Sequence, residues 1–198
     1  MQKRRILTKG KKAIVIAAIF LTLSGTGWFC IEKQGNFHVV SEGKVYRSGQ
    51  VRQGKLVQYI QDYKIKSVLN LRGRNENSEW WKKEVSACVL LGVKYYDLSL
   101  SSKKEPTSEQ FQNLLEILKK APKPLLVHCE GGANRTGLAS AIYLYYFEGY
   151  PKETAQRQLS FIYGHIPLLQ PEVRAMDDAF TKFCREYEKN HQTTQSEN

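Results

Sequence analysis

Cysteine is scarce in this chain of 198 residues. The four present, Cys30, Cys88, Cys129 and Cys184, show neither metal-ligand spacing nor a dense disulfide framework, which excludes a zinc module and a disulfide-stapled scaffold. Acidic residues are also few, 19 against 30 basic ones. The excess base is not interleaved with aromatic residues as in a nucleic-acid surface, so no nucleic-acid partner is expected. No internal repeat is apparent, which sets aside solenoids and propellers. With 41% hydrophobic and 25% charged residues, the chain can bury one good core and hardly two.

What is present is uneven. Residues 1–12 carry six basic side chains (Lys3, Arg4, Arg5, Lys9, Lys11 and Lys12) and no acid, and account for much of the +11 formal charge. Residues 13–31 are apolar and free of charge, about 28 Å of helix at 1.5 Å per residue, enough to span a bilayer. This pattern predicts a basic cytoplasmic segment followed by a transmembrane signal anchor at 13–31. By the positive-inside rule the rest of the chain then lies across the membrane, an extracytoplasmic or periplasmic location. The alternative is a secreted or periplasmic protein after signal cleavage near Ser24-Gly25-Thr26-Gly27, although the preferred alanines are missing there.

From residue 35 onward, strand and helix signals alternate as in an α/β domain ending near residue 189. Short edge strands are expected at 39–40 and 44–47, a central strand at 66–71 and a further strand at 93–98. Helices are expected at 51–63 and 75–91. Thr107-Ser108-Glu109-Gln110 reads as a capping box opening another, and three more follow residue 135. Residues 190–198 form a polar tail expected to be disordered.

The densest chemical information lies in Leu125-Leu126-Val127-His128-Cys129-Glu130-Gly131-Gly132-Ala133-Asn134-Arg135-Thr136-Gly137. The apolar Leu125-Leu126-Val127 predicts a buried strand, and the stretch from Thr136 opens an apolar helix, so a tight loop joins the two. Gly131 and Gly132 permit sharp folding, and Asn134 is among the few other residues that tolerate a left-handed conformation. Inward-pointing amides at a helix N-terminus make an anion cradle sized for phosphate or sulfate. Cys129 at its floor is placed to act as a thiolate nucleophile. Arg135 supplies a planar fork for two anion oxygens, and Thr136 a hydroxyl for the sulfur. A cysteine after a buried strand is most often an inert small hydrophobe. A core turn, however, needs neither the Arg nor the thiol in this context.

His128, Cys129, Arg135, Thr136 and Gly137 match the signature His-Cys-x5-Arg-Ser/Thr-Gly, and on these residues the chain resembles the cysteine-based protein tyrosine phosphatase superfamily, in its small dual-specificity branch. The similarity extends from Val45-Tyr46-Arg47-Ser48-Gly49-Gln50 through Ser67-Val68-Leu69-Asn70-Leu71-Arg72. It implies a central, mostly parallel sheet flanked by helices, here preceded by one N-terminal hydrophobic helix. It also implies phosphomonoester hydrolysis through a phosphocysteine at Cys129, without metal or cofactor. Arg135 and the loop residues Glu130, Gly131, Gly132, Ala133, Asn134 and Thr136 would bind phosphate, and His128 would support the loop.

Family members usually add an Asp on a mobile loop before the Cys to protonate the leaving oxygen. By spacing it should fall near Ser101 or Ser102, and neither is an acid. Glu105 and Asp97 are the nearby candidates for a general acid. Arg47 and Arg72, beside strand ends, are candidates for holding the loop or the substrate. Glu130 and the absence of lysine in the loop favour phosphotyrosine-containing protein over a polyphosphorylated inositol, with phosphoserine/threonine or a small phosphate ester behind it. Three rivals stand beside this reading: a sulfurtransferase or arsenate-reductase-like thiol enzyme, a non-catalytic phosphate-binding module, and a structural membrane adaptor.

Overall fold

The structure is a computed structural model that describes residues 35–196. The basic segment 1–12 and the anchor expected at 13–31 lie outside the described residues. Among the described residues no helix is long and apolar enough to cross a membrane.

Five strands form one mixed sheet: β1 (His38–Ser41), β2 (Val45–Ser48), β3 (Ser67–Asn70), β4 (Lys94–Asp97) and β5 (Leu125–His128). The spatial order is β1-β2-β5-β3-β4. β2, β5, β3 and β4 run parallel, and β1 is an antiparallel edge whose register shifts between Val39 and Ser41. All residues of β2, β3 and β5 are buried. An inner parallel strand covered on both faces has no solvent side, which is why Leu125-Leu126-Val127 is uniformly apolar instead of alternating.

Two cores follow from the strand period of two. Val45, Leu69, Leu125 and Val127 face one way, with Leu114 and Leu118 of α3 (Ser108–Lys120), Leu138 and Ile142 of α4 (Asn134–Ile142), and Phe180 of α6 (Ala175–Ser196). Tyr46, Val68 and Leu126 face the other way, with Leu56 and Ile60 of α1 (Gln53–Asp62) and Ala87 and Cys88 of α2 (Glu79–Leu90). Cys88 and Cys184 belong to different cores and are both free and buried. Burial pushes their thiols up, to about 12 and about 11, so both behave as packing residues.

Several boundaries differ from the sequence expectation for identifiable reasons. α2 starts at Glu79, not Asn75, because Asn75–Ser78 closes a separate turn through Ser78 N–H to the Asn75 carbonyl at 3.0 Å. The capping box is present in full, with Thr107 accepting from the Gln110 amide and Gln110 from the Thr107 amide. α4 opens at Asn134, two residues before Thr136, and continues as a π-helical segment at Tyr143–Phe147 before α5 (Lys152–Gln156). The polar stretch from residue 190, expected to be disordered, instead continues α6 to Ser196. No Gly or Pro interrupts Ala175 to Ser196, so nothing in that run terminates a helix already nucleated by packing.

Candidate active site

Cys129 follows the last residue of β5 and is buried, at 2% exposure. The loop after it is shaped by where its carbonyls go. The Glu130 carbonyl accepts from the Gln50 amide at 2.8 Å. That of Gly131 accepts from Asn36 Nδ2 at 2.9 Å. Those of Gly132 and Ala133 accept from Arg47 Nη2 at 2.7 and 3.4 Å. A trans peptide points its carbonyl and the following N–H in opposite directions. With four successive carbonyls tied outward, the amides of Gly131, Gly132, Ala133 and Asn134 face the other way, into the concavity that α4 opens on. Amides turned this way are what an anion cradle requires.

Between Cys129 and Arg135, Gly132 is the one residue with a positive φ, at +71°. A Cβ there would stand 2.5 Å from the Gly49 nitrogen and 2.6 Å from the Ser48 carbonyl carbon, both of them backbone. Asn134 does not need the left-handed conformation expected of it. It is the first residue of α4, and its Oδ1 lies 2.7 Å from His165 Nδ1, whose Nε2 reaches Asp177 Oδ2 at 2.8 Å. Its side-chain oxygen therefore ties the helix start to α6 through His165, and its backbone amide is one of the unpaired donors of the first helical turn.

Arg47 is the residue whose importance exceeds its sequence signal. It is fully buried, and besides the two loop carbonyls it donates to the Gln158 carbonyl and Oε1 at 2.9 and 2.6 Å. Its guanidinium stacks 3.8 Å from the centre of the Tyr163 ring. All these partners are neutral. Burial lowers it to about 10, partly offset by Tyr163 and Cys129, so it is charged at neutral pH. A buried cation with neutral partners beneath the loop adds to the helix N-terminus in favouring a bound anion.

Arg135, one residue into α4, is mostly covered. Its Nη1 makes long contacts of 3.4 Å to the Leu71 and Leu100 carbonyls, and its Nε is buried without a partner, as is Thr136 Oγ1. Buried donors are nearly always satisfied. Two orphans on adjacent residues at the cradle fit an anion and a sulfur as their partners.

Glu130 points outward with a largely exposed side chain, about 4 Å from both Arg72 and Arg135. Arg72 also stacks 3.9 Å from the Trp80 ring centre and donates to Gln50 Oε1. Among the loop residues Glu130 thus places a charge at the mouth and supplies no phosphate ligand from its side chain.

The two carboxylates considered for acid catalysis are held elsewhere. Asp97, at the end of β4, accepts from Asn70 Nδ2 at 2.8 Å and from the Trp81 indole at 3.1 and 3.2 Å, a structural bond set. Glu105 is exposed and lies 3.8 Å from Lys182. The segment before it does reach the site, since Leu100 accepts from Arg135, and the two residues that follow Leu100 are Ser101 and Ser102, neither an acid.

Sequence reasoning missed Glu84. It is 3% exposed on α2 and lies 2.7 Å from His128 Nε2, while Tyr95 and Gln50 also donate to it. His128 Nδ1 meets the Cys129 carbonyl at 3.2 Å. Burial works to raise the Glu84 carboxyl, but the charge of His128 and the hydrogen bonds from His128, Tyr95 and Gln50 outweigh it and hold it below the ordinary value. A carboxyl depressed in the folded state stabilises the fold above its unfolded value, and that stability is lost as pH falls through its native value. Glu84→Gln is therefore expected to lower Tm at pH 7 and to flatten the loss of Tm between about pH 5 and pH 3, read by scanning calorimetry. An unchanged acid limb would remove Glu84 from the account.

The described region matches, over residues 35–196, the family described as PTP-SAK, a Swiss Army Knife protein DSP-PTPase phosphatase domain. The chain is 35% identical over 105 residues to the Inositol diphosphatase SIW14 of Saccharomyces cerevisiae, a match over 50% of this chain and 35% of that protein. It thus spans about a third of the length of that relative. Its fold is similar to the core catalytic domain of the PP-IP phosphatase SIW14 from S. cerevisiae in complex with citrate, at 24% identity and TM-score 0.55, covering 77% of this chain and 93% of that one. It is similar too to P. aeruginosa TpbA in complex with pTyr, at 20% identity and TM-score 0.53, covering 76% and 91%. At these identities the two structures speak to the fold alone.

Proposed function

Since this chain belongs to the PTP-SAK family of DSP-type phosphatase domains, and is thus a phosphatase of the cysteine-based superfamily, we propose that it hydrolyses phosphate monoesters through a phosphocysteine on Cys129. The observation that carries the assignment is the outward anchoring of the four carbonyls from Glu130 to Ala133, which turns the following amides inward. The Cys129 thiolate attacks phosphorus and the ester P–O bond breaks, the leaving oxygen taking its proton from solvent. Water then attacks the phosphocysteine, the P–S bond breaks, and thiolate and inorganic phosphate are released. Arg135 and the inward amides bear the equatorial charge in both steps. Thr136 Oγ1 bonds the departing sulfur.

With Asp97 and Glu105 engaged elsewhere, aryl esters are the favoured substrates, because their leaving groups need little protonation. Phosphotyrosine in protein is the first choice and a small phosphate ester the second. An inositol polyphosphate is supported by the identity to the inositol diphosphatase, but the exposed Glu130 carboxylate at the mouth opposes a highly anionic ligand. Glu130→Lys is therefore expected to shift the ratio of kcat/KM, inositol diphosphate over phosphotyrosyl peptide, upward by about tenfold. An unchanged ratio removes Glu130 as the discriminating residue. Phosphate binding without turnover of either ester would leave the binding module, and thiocyanate formed from thiosulfate the sulfurtransferase. The same reading holds the domain outside the cytoplasm on the single span at residues 13–31, supported by the basic block before it.

A further inference from the structure

Glu130, the residue after Cys129, holds its carboxylate between two guanidiniums. Its Oε1 stands 3.9 Å from Arg72 Nη2 and its Oε2 4.0 Å from Arg135 Nη2. Both distances exceed hydrogen-bond length, so the carboxylate satisfies neither arginine. The side chain is 72% exposed, and it can turn into solvent without breaking a buried contact. One carboxylate thus marks a gap between Arg135, the arginine at the cradle, and Arg72. As an exposed ion pair the Glu130 contact contributes little to stability, so stability does not explain why Arg72 is held where it is.

Arg72 is nevertheless firmly held. Its backbone N–H donates to Asn70 Oδ1 at 2.8 Å, and Asn70 Nδ2 donates in turn to the Gly73 carbonyl and to Asp97. Its guanidinium lies 3.9 Å from the centre of the Trp80 ring, and Nη1 donates to Gln50 Oε1 at 3.2 Å. Gln50 is fixed as well, its backbone N–H on the Glu130 carbonyl and its Nε2 on the buried Glu84 carboxylate. A side chain braced in this way gives up little further rotamer freedom when it binds a ligand. Nη2 is the end of the fork that faces the gap. The same stretch of backbone also holds Arg135, because the Leu71 carbonyl accepts from Arg135 Nη1 at 3.4 Å. The two guanidiniums are therefore placed relative to each other by Leu71 and Arg72.

We propose that Arg72 determines specificity at this site by binding a carboxylate of the substrate next to its phosphate ester, in the gap where Glu130 now stands. The proposal rests on the reading of the site as a phosphatase for phosphotyrosine-containing protein, and it names the sequence context: Asp or Glu beside the phosphotyrosine. A carboxylate fits better than a second phosphate because the group that spans the gap in the structure is a carboxylate, and because a dianion would bring twice the charge up to Glu130.

The full-length chain is assayed on three phosphotyrosyl peptides that differ only at the residues flanking phosphotyrosine: Glu on both sides, Gln on both sides, or phosphoserine on both sides. Tyrosine fluorescence reports hydrolysis at the tyrosine. Wild type is expected to show kcat/KM about tenfold higher for the Glu peptide than for the Gln peptide, as one charge-assisted hydrogen bond contributes. The difference is carried by KM, because the carboxylate is bound equally before and during the reaction. The Glu over Gln ratio falls to near one in Arg72→Gln and rises above wild type in Glu130→Gln, which removes the competing carboxylate. Each ratio is taken within one variant, so a general loss of activity does not alter it. Equal hydrolysis of the Glu and Gln peptides by wild type overturns the proposal and leaves the phosphatase reading standing. A wild-type ratio retained in Arg72→Gln overturns it too, and, should that variant fail to fold, an unraised ratio in Glu130→Gln does the same. Preference for phosphoserine over Glu gives the gap to a second phosphate and overturns it. No hydrolysis of any peptide or of p-nitrophenyl phosphate overturns the phosphatase reading and the proposal with it.

Discussion

Cys129→Ser is expected to lower kcat on p-nitrophenyl phosphate by ~10⁴-fold or more while inorganic phosphate still binds within a few-fold of wild type. The two halves of this expectation come from different atoms. The nucleophile is the sulfur, and an alcohol in the same position stays protonated at neutral pH and attacks poorly. Anion binding depends on amides oriented by carbonyl bonds to Gln50, Asn36 and Arg47, on Arg135 and on the start of α4, none of which the substitution touches. The hydroxyl is also smaller than the thiol it replaces, so the buried site is not overfilled. Assay of the full-length chain with a reductant and without added metal, together with calorimetric titration of phosphate, reads both quantities. Residual turnover within tenfold of wild type would mean that another group is the nucleophile. Loss of binding together with turnover would mean that the loop had collapsed.

Arg47→Met should have the second largest effect. Methionine fills much of the same volume but removes the charge and every donor. The carbonyls of Gly132 and Gln158 then lose buried partners at 2.7 and 2.9 Å, at about 1–3 kcal/mol each, enough to lower Tm by several degrees. The larger consequence is for the site. Without its outward partner the Gly132 peptide is free to rotate, which turns the Ala133 amide away from the anion. The positive charge beneath Cys129 goes as well. Loss of one preorganised donor to a developing anion costs ~10²–10³ in kcat, and a loss in that range is expected here, accompanied by weaker phosphate binding. That combination separates Arg47→Met from Cys129→Ser, in which binding survives. A variant with normal phosphate affinity and a merely lower Tm would show that Arg47 acts on stability alone.

The loop itself was legible because its signals are local. A strand without alternation, Gly132 next to Gly131, and an apolar helix opening right after Arg135 lie within about a dozen neighbouring residues, and short-range sterics fix their conformation. The capping box at Thr107 was legible for the same reason. Asn134 shows the limit even at short range, since a residue permitted a left-handed turn was used as a helix start once His165 was available to hold its side chain. The end of α6 was misjudged on composition, because polar residues continue a helix as readily as they form a tail when nothing stops them.

By itself the sequence determined the strand–loop–helix unit, the identity of its sulfur and guanidinium, the order of α and β elements, and the absence of an acid where the family's general acid is expected. Only the tertiary structure decided what holds that unit in shape. Arg47 meets Gly132 across 85 residues of chain, Asn36 meets Gly131 across 95, and Glu84 meets His128 across 44. No periodicity or turn preference encodes such pairs, because each depends on which strands become neighbours. β5 is the last strand in the chain yet inserts between β2 and β3, and that insertion brings Arg47, at the end of β2, beneath the loop that follows β5.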